Sequence, residues 1–171
     1  MVYWITGLSG AGKTTIGMQL CQLMLENDQR PILLDGDSLR EVFNAIFGYS
    51  AEERRRCAMC YARLCKLLSD QGFTVICCTI SMFEDVRMWN RENIREYREI
   101  YVKVPLEILI QRNQKNLYGD CGSGPATQVA GLDIEAEVPK KPDFIIENDG
   151  SMTVEDAARS IFLHFCDIKV V

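Results

Sequence analysis

An apolar pentapeptide, Val2 to Thr6, runs directly into Gly7-Leu8-Ser9-Gly10-Ala11-Gly12-Lys13-Thr14. This is the pattern G-x-x-x-x-G-K-[ST], and a helical stretch, Lys13 to about Glu26, follows it. No other feature restricts the fold as strongly. A buried strand must end in a loop whose glycines turn successive backbone N–H groups inward, and that loop must open a helix. The loop and helix N-terminus then form one anion site, because unpaired N–H donors and the helix dipole both favour phosphate. Lys13 suits contact with the β and γ phosphates, Thr14 suits magnesium, and Thr15 sits in the first turn, in reach of the α phosphate. The phosphate-contacting residues are therefore Gly7, Ser9, Gly10, Ala11, Gly12, Lys13, Thr14 and Thr15.

The remaining chain alternates strand and helix signals. Ile32-Leu33-Leu34 reads as a second strand ending at Asp35, and a short helix is expected from Ser38, as its cap, to about Phe47. Ser50 with Glu53 three residues later forms a capping-box pattern opening a helix to about Asp70. Phe73 to Thr79 is a third strand, and Met82 to about Glu96 a polar helix, with Arg95 and Glu99 four apart. Ile100 to Val104 is a fourth strand, Leu106 to Gln111 a helix, Phe144-Ile145-Ile146 a fifth strand and Thr153 to Phe165 a final helix. Between Tyr118 and Pro142 glycines and prolines break the pattern, marking a binding loop or lid, taken as 113–133. The alternation predicts an α/β fold with a mostly parallel five-stranded sheet covered on both faces, a three-layer P-loop nucleoside triphosphate hydrolase-like architecture in a single domain over 1–171.

Composition narrows the function classes. The 171 residues are 47% hydrophobic, which argues against disorder, and a chain this long should bury roughly 70% of its unfolded surface without a disulfide or metal staple. Nineteen basic against 24 acidic residues give a net charge of −5, which disfavours nucleic acid as a partner. No run reaches about 18 apolar residues, and the first residues lack a signal-peptide pattern, so a cytoplasmic location without membrane association is expected. Of the eight cysteines, Cys57 and Cys60 have C-x-x-C spacing inside a helix without a second close pair, so reduced structural thiols are expected over zinc.

A second constellation follows the second strand: Asp35-Gly36-Asp37-Ser38-Leu39-Arg40. Carboxyl ends of parallel strands face the same crevice as the phosphate loop. Asp35 or Asp37 can orient a hydroxyl nucleophile or hold magnesium, and Arg40 can hold an anionic acceptor. The bland alternative is a turn and a helix cap. Arg55, Arg56 and His164 are expected to be ordinary surface or helix residues, Trp4 to pack beside the first strand, and Trp89 to serve either the core or an interface.

Together these motifs resemble the adenylylsulfate kinase family, over about Trp4 to Asn148. The resemblance implies transfer of the ATP γ-phosphoryl group, with Mg2+, to the 3′-hydroxyl of a small anionic nucleotide, adenylylsulfate first. It implies catalytic roles for Lys13, Asp35 and Asp37 and magnesium contacts from Thr14 and Asp35. It places Arg112 beside the ATP adenine, and Asp37, Arg40, Asn44, Tyr49, Arg54, Ser81, Lys115 and Leu132 around the acceptor, with Arg54 on its phosphate region and Tyr49 on its base. It also implies a homodimer.

This sequence departs from the family pattern mainly on the acceptor side. Cys57 replaces an asparagine, Met82-Phe83 replaces Pro-Tyr after Ser81, Gly122 and Thr127 replace lid cations, and Val129 replaces the phenylalanine that stacks on the acceptor base. Near the lid arginine, Asn113-Gln114 replaces Asp-Pro, while Lys115 is retained. Losing a stacking ring removes roughly 1–3 kcal/mol. A related enzyme type that phosphorylates cytidine diphosphoramidate in bacterial capsule modification is therefore the competing expectation. A non-enzymatic ATP-gated regulator, or a structural protein with a decayed site, fits the intact Gly12-Lys13-Thr14 less well.

Overall fold

The computed structural model describes residues 1–43, 46–112 and 136–165. Five strands form one sheet in the order β2-β3-β1-β4-β5: β1 Val2–Thr6, β2 Ile32–Asp35, β3 Val75–Thr79, β4 Tyr97–Lys103 and β5 Phe144–Glu147. All four pairings are parallel. The helices are α1 Lys13–Glu26, α2 Gly36–Val42, α3 Ala51–Asp70, α4 Glu84–Asn93, α5 Leu106–Arg112 and α6 Val154–Phe165.

The period-two geometry of a strand explains the two cores. On β1, Tyr3 and Ile5 join Ile76, Cys78, Ile100 and Val102 on one face, which α1 and α6 cover through Ile16, Leu20, Ala158 and Ile161. Val2 and Trp4 point the other way, with Val75, Cys77 and Tyr97, onto Ala58, Ala62 and Cys65 of α3 and Val86 of α4. β1 is buried along its whole length, as a central parallel strand covered on both faces must be. With β3 on one side and β4 on the other, its carboxyl end opens at the centre of the sheet edge, where α/β proteins place their ligands.

Three local expectations are corrected. The second helix begins at Gly36 and ends at Val42, and its cap is Asp35 rather than Ser38. Asp35 Oδ1 accepts from the N–H groups of Asp37 and Ser38 at 3.0 and 3.2 Å, so Ser38 lies inside the first turn. The fourth strand begins at Tyr97, so Glu99 is a strand residue and forms no helical pair with Arg95. It is 3% exposed and meets Arg87 at 3.5 Å and Arg91 at 3.3 Å, partners supplied by α4 across the layer. The third strand and the fourth helix are shorter than expected, starting at Val75 and Glu84. The expected capping box at Ser50 and Glu53 forms, and Trp4 is fully buried. Trp89 is partly buried against the α3/α4 core, and His164 packs against Phe144 and Phe165 at ring separations of 4.8 and 4.6 Å. Among the described residues no helix is long and apolar enough to cross a membrane.

Candidate active site

The phosphate loop is built as one continuous turn between β1 and α1. Gly12 is the N-cap of α1 at φ 87°, a left-handed conformation that an L side chain resists. At the other end, a Cβ on Gly7 would lie 2.5 Å from the Val102 carbonyl oxygen, so the backbone of β4 sets the entry to the loop. Lys13 is 8% exposed and folds back over the loop, its Nζ donating to the Leu8 carbonyl at 2.7 Å. The Ala11 N–H donates to the same carbonyl at 3.2 Å. Ala11 is fully buried, whereas Thr14 and Thr15 face outward at the start of α1.

Asp35 joins this loop to the second constellation. Thr14 Oγ1 donates to Asp35 Oδ2 at 2.6 Å, while the other carboxylate oxygen caps α2. A hydroxyl and a carboxylate in contact beside a phosphate cradle are the protein ligands magnesium takes when phosphates and water supply the rest. Among the described residues no three His, Cys, Asp or Glu side chains converge as a metal cluster, and the Cys57–Cys60 pair belongs to none. Asp37 lies exposed in the first turn of α2, two residues from this contact.

Beside the phosphate loop lies a cleft of about 340 Å³ lined by Gly10, Gly12, Thr15, Arg112, Asn148, Gly150 and Thr153, with Ile146 and Val154 as apolar walls. Asn148, which the motif reading left without a role, ties the cleft together. Its Nδ2 donates to the Ala11 carbonyl at 2.9 Å, and its Oδ1 accepts from Arg112 Nη2 at 3.3 Å. The available signal was its place one residue past β5, at the same sheet edge as the phosphate loop.

Arg40, Tyr49 and Arg54 come together, joining α2 to the start of α3. The Arg40 guanidinium lies 4.6 Å from the Tyr49 ring centroid and that of Arg54 lies 5.3 Å from it. Arg40 Nη1 donates to the Phe47 and Gly48 carbonyls, and Arg54 Nε to the Tyr49 carbonyl at 2.8 Å. Burial, with repulsion from Arg40 adding to it, pulls the Arg54 guanidinium below its usual range. Tyr49 remains 60% exposed. Ser81, at the carboxyl end of β3, is 5% exposed, and its hydroxyl has no hydrogen-bond partner among the described residues. Asn44, Lys115 and Leu132, and the lid expected over 113–133, lie outside the described residues.

The departures at described positions are packed inward. Cys57 is 2% exposed in the same core cluster as Tyr61, whose hydroxyl donates to the Gly36 carbonyl at 3.1 Å. Met82 and Phe83 are buried at the start of α4. Arg55 is not merely solvated as expected: it pairs with Asp85 at 2.8 Å and Glu137 at 3.3 Å.

The sequence matches the family model described as adenylylsulphate kinase over residues 1–147. It is 38% identical over 160 residues to a cytidine diphosphoramidate kinase of Campylobacter jejuni, covering 94% of this chain and 93% of that one. It is 33% identical over 173 residues to an adenylyl-sulfate kinase of Staphylococcus carnosus, covering 100% and 86%. The fold matches the structure of a Mycobacterium tuberculosis APS kinase in complex with AMPPNP and APS at a TM-score of 0.86, with 28% identity and 94% of each chain covered. The cradle, the Thr14–Asp35 contact and these matches agree: the chain belongs to the adenylylsulphate kinase family and is an ATP-dependent phosphotransferase of that type.

Proposed function

We propose that this chain phosphorylates the 3′-hydroxyl of a small anionic nucleotide, with cytidine diphosphoramidate as the acceptor. The observation that carries the phosphoryl-transfer geometry is the 2.6 Å contact between Thr14 and Asp35, which brings the phosphate loop against the segment bearing Asp37 and Arg40. ATP lies along the loop, its base in the cleft by Arg112 and Asn148 and its phosphates on the N–H groups from Gly7 to Thr15. Lys13 leaves the Leu8 carbonyl to follow the charge on the transferring group. Thr14 and Asp35 would hold Mg2+, which would offset phosphate charge when bound.

Both Asp35 oxygens are engaged, one by Thr14 and one by the α2 N-terminus. We therefore assign Asp35 to the metal and Asp37 to the acceptor hydroxyl. The 3′-oxygen bonds to the γ phosphorus as the bond to the ADP oxygen breaks, and the hydroxyl proton passes to Asp37. Arg40 and Arg54 take the acceptor's anionic end, and Tyr49, already lying against both guanidinium groups, takes its base. The hydroxyl of Ser81 gains a partner in the acceptor. Asn44, Lys115 and Leu132 complete the acceptor side, and the 113–133 segment excludes water as the competing nucleophile.

Two observations favour the cytidine compound over adenylylsulfate, the acceptor first expected from the motifs. The chain is 38% identical to the cytidine diphosphoramidate kinase, against 33% to the Staphylococcus carnosus adenylyl-sulfate kinase. Cys57, Met82 and Phe83, where the sequence departs from the family pattern on the acceptor side, are also buried core residues here. Adenylylsulfate remains the second reading, favoured by the family match itself. Incubation with ATP–magnesium and each acceptor separately tests the choice. A new 3′-phosphate on the cytidine compound is expected, and product from adenylylsulfate alone would reverse it. The proposal includes one domain over 1–171, a cytoplasmic location and a homodimer, and light scattering at the mass of one chain would reject the dimer.

A further inference from the structure

After residue 135 the chain is fastened along α4. The Glu137 N–H donates to the Met82 carbonyl at 3.1 Å, and the Glu137 carboxylate accepts from the N–H of Glu84, the first residue of α4. Farther along, Arg91 holds the Lys141 carbonyl at 3.0 Å and the Asp143 carboxylate at 3.1 Å. Arg55 then ties this strap to α3. Its Nη2 meets Glu137 at 3.3 Å, its Nη1 meets Asp85 at 2.8 Å, and its guanidinium lies 5.0 Å from the Phe83 ring centroid. Three partners on two segments share one planar group through separate nitrogens and its face, a fork that an ammonium cannot reproduce.

The two parts joined in this way both belong to the acceptor side. Arg54 is the neighbour of Arg55 in the first turn of α3, and Ser81 precedes the turn that Glu137 holds. The Arg55, Asp85 and Glu137 side chains are 44%, 50% and 36% exposed, so solvent screens the pairs and their effect on global stability is small. Their consequence is geometric. We infer that Arg55, acting through Glu137, is a positioning residue that sets the spacing between Arg54 and Ser81 and thereby the fit of the acceptor. This rests on the reading of Arg54 and Ser81 as acceptor contacts.

The test compares the parent protein with R55A, E137Q, the double variant and R55K. Glutamine keeps one oxygen for the Glu84 N–H and replaces the oxygen that meets Arg55 with an NH2 group, removing the ion pair and the hydrogen bond to Arg55 together. With whichever of cytidine diphosphoramidate and adenylylsulfate turns over, the acceptor KM should rise roughly tenfold in each single variant, a loss typical of misplaced groups. The double variant should be no worse than the worse single, R55K should stay near R55A, and the KM for ATP should not move. Without any nucleotide, amide hydrogen exchange at 81–84 and 136–143 should quicken in R55A and E137Q alike. Unchanged exchange would overturn the coupling whatever the acceptor is. Faster exchange with an unchanged acceptor KM, or an equal rise in both KM values, would make the strap structural only and overturn the inference as well. If the parent turns over neither compound, the proposed function fails, and exchange alone decides the coupling.

Discussion

The proposed donor end and the proposed acceptor end of this site are built differently. At the donor end, the contacts are backbone-rich and mutually locking. Lys13 and Ala11 share the Leu8 carbonyl, Asn148 ties Ala11 to Arg112, and Asp35 binds both Thr14 and the α2 N-terminus. At the proposed acceptor end, two arginines lie against an exposed tyrosine, and the substituted residues Cys57, Met82 and Phe83 are buried. The contrast teaches where specificity can drift. A phosphate cradle made of main-chain N–H groups tolerates little change, whereas an acceptor held by side chains can be altered residue by residue.

Breaking the donor end should give the largest effect. Lys13→Ala is expected to lower kcat on the order of 10²–10³-fold, the usual loss when one preorganised charge-stabilising donor is removed. The check is phosphoryl transfer at saturating substrates, with circular dichroism to show a native fold. An unchanged kcat would contradict the cradle's assigned role.

Arg54→Ala probes the other end. Charge-assisted hydrogen bonds contribute about 1.5–3 kcal/mol, so the acceptor KM should rise about tenfold or more while the ATP KM stays level. A matching rise for ATP would erase the separation between the two ends. Asn148→Ala should show the mirror image with a smaller amplitude. One hydrogen bond of about 1 kcal/mol predicts roughly a fivefold higher ATP KM and an unchanged acceptor KM.

The smallest effect concerns the core beneath the loop. Burial pushes the Cys78 thiol from 9.0 up to about 12, and its Sγ donates to the Lys13 carbonyl at 3.4 Å. Its folded value is raised, so its stabilising effect is complete below pH 9.0 and is lost as pH rises toward about 12. Alkaline titration of thermal stability should therefore fall less steeply over that window in Cys78→Ala than in the parent.

What could be read from sequence follows the range of the interactions. β1, the loop and α1 were legible because strand, glycines and helix start are contiguous, and the Ser50–Glu53 box was legible for the same reason. The Ser38 cap failed because Asp35 serves Thr14 and α2 at once, and only the fold shows that Thr14 is near. Glu99 suits an exposed helix by its charge, but α4 supplies Arg87 and Arg91 to offset its burial. Arg55 and Asn148 looked unremarkable because their partners lie 82 and 137 residues away. On the site itself, the residue types at the phosphate loop and after β2 were evident, whereas the separate engagement of the two Asp35 oxygens required coordinates.

The most direct test of the central claim, an intact donor end joined to a changed acceptor end, is a competition. Equal concentrations of cytidine diphosphoramidate and adenylylsulfate, with γ-labelled ATP and magnesium in one vessel, report the ratio of kcat/KM for the two acceptors from the labelled products. Label chiefly on the 3′-oxygen of the cytidine compound is the predicted result, and label chiefly on adenylylsulfate would contradict it.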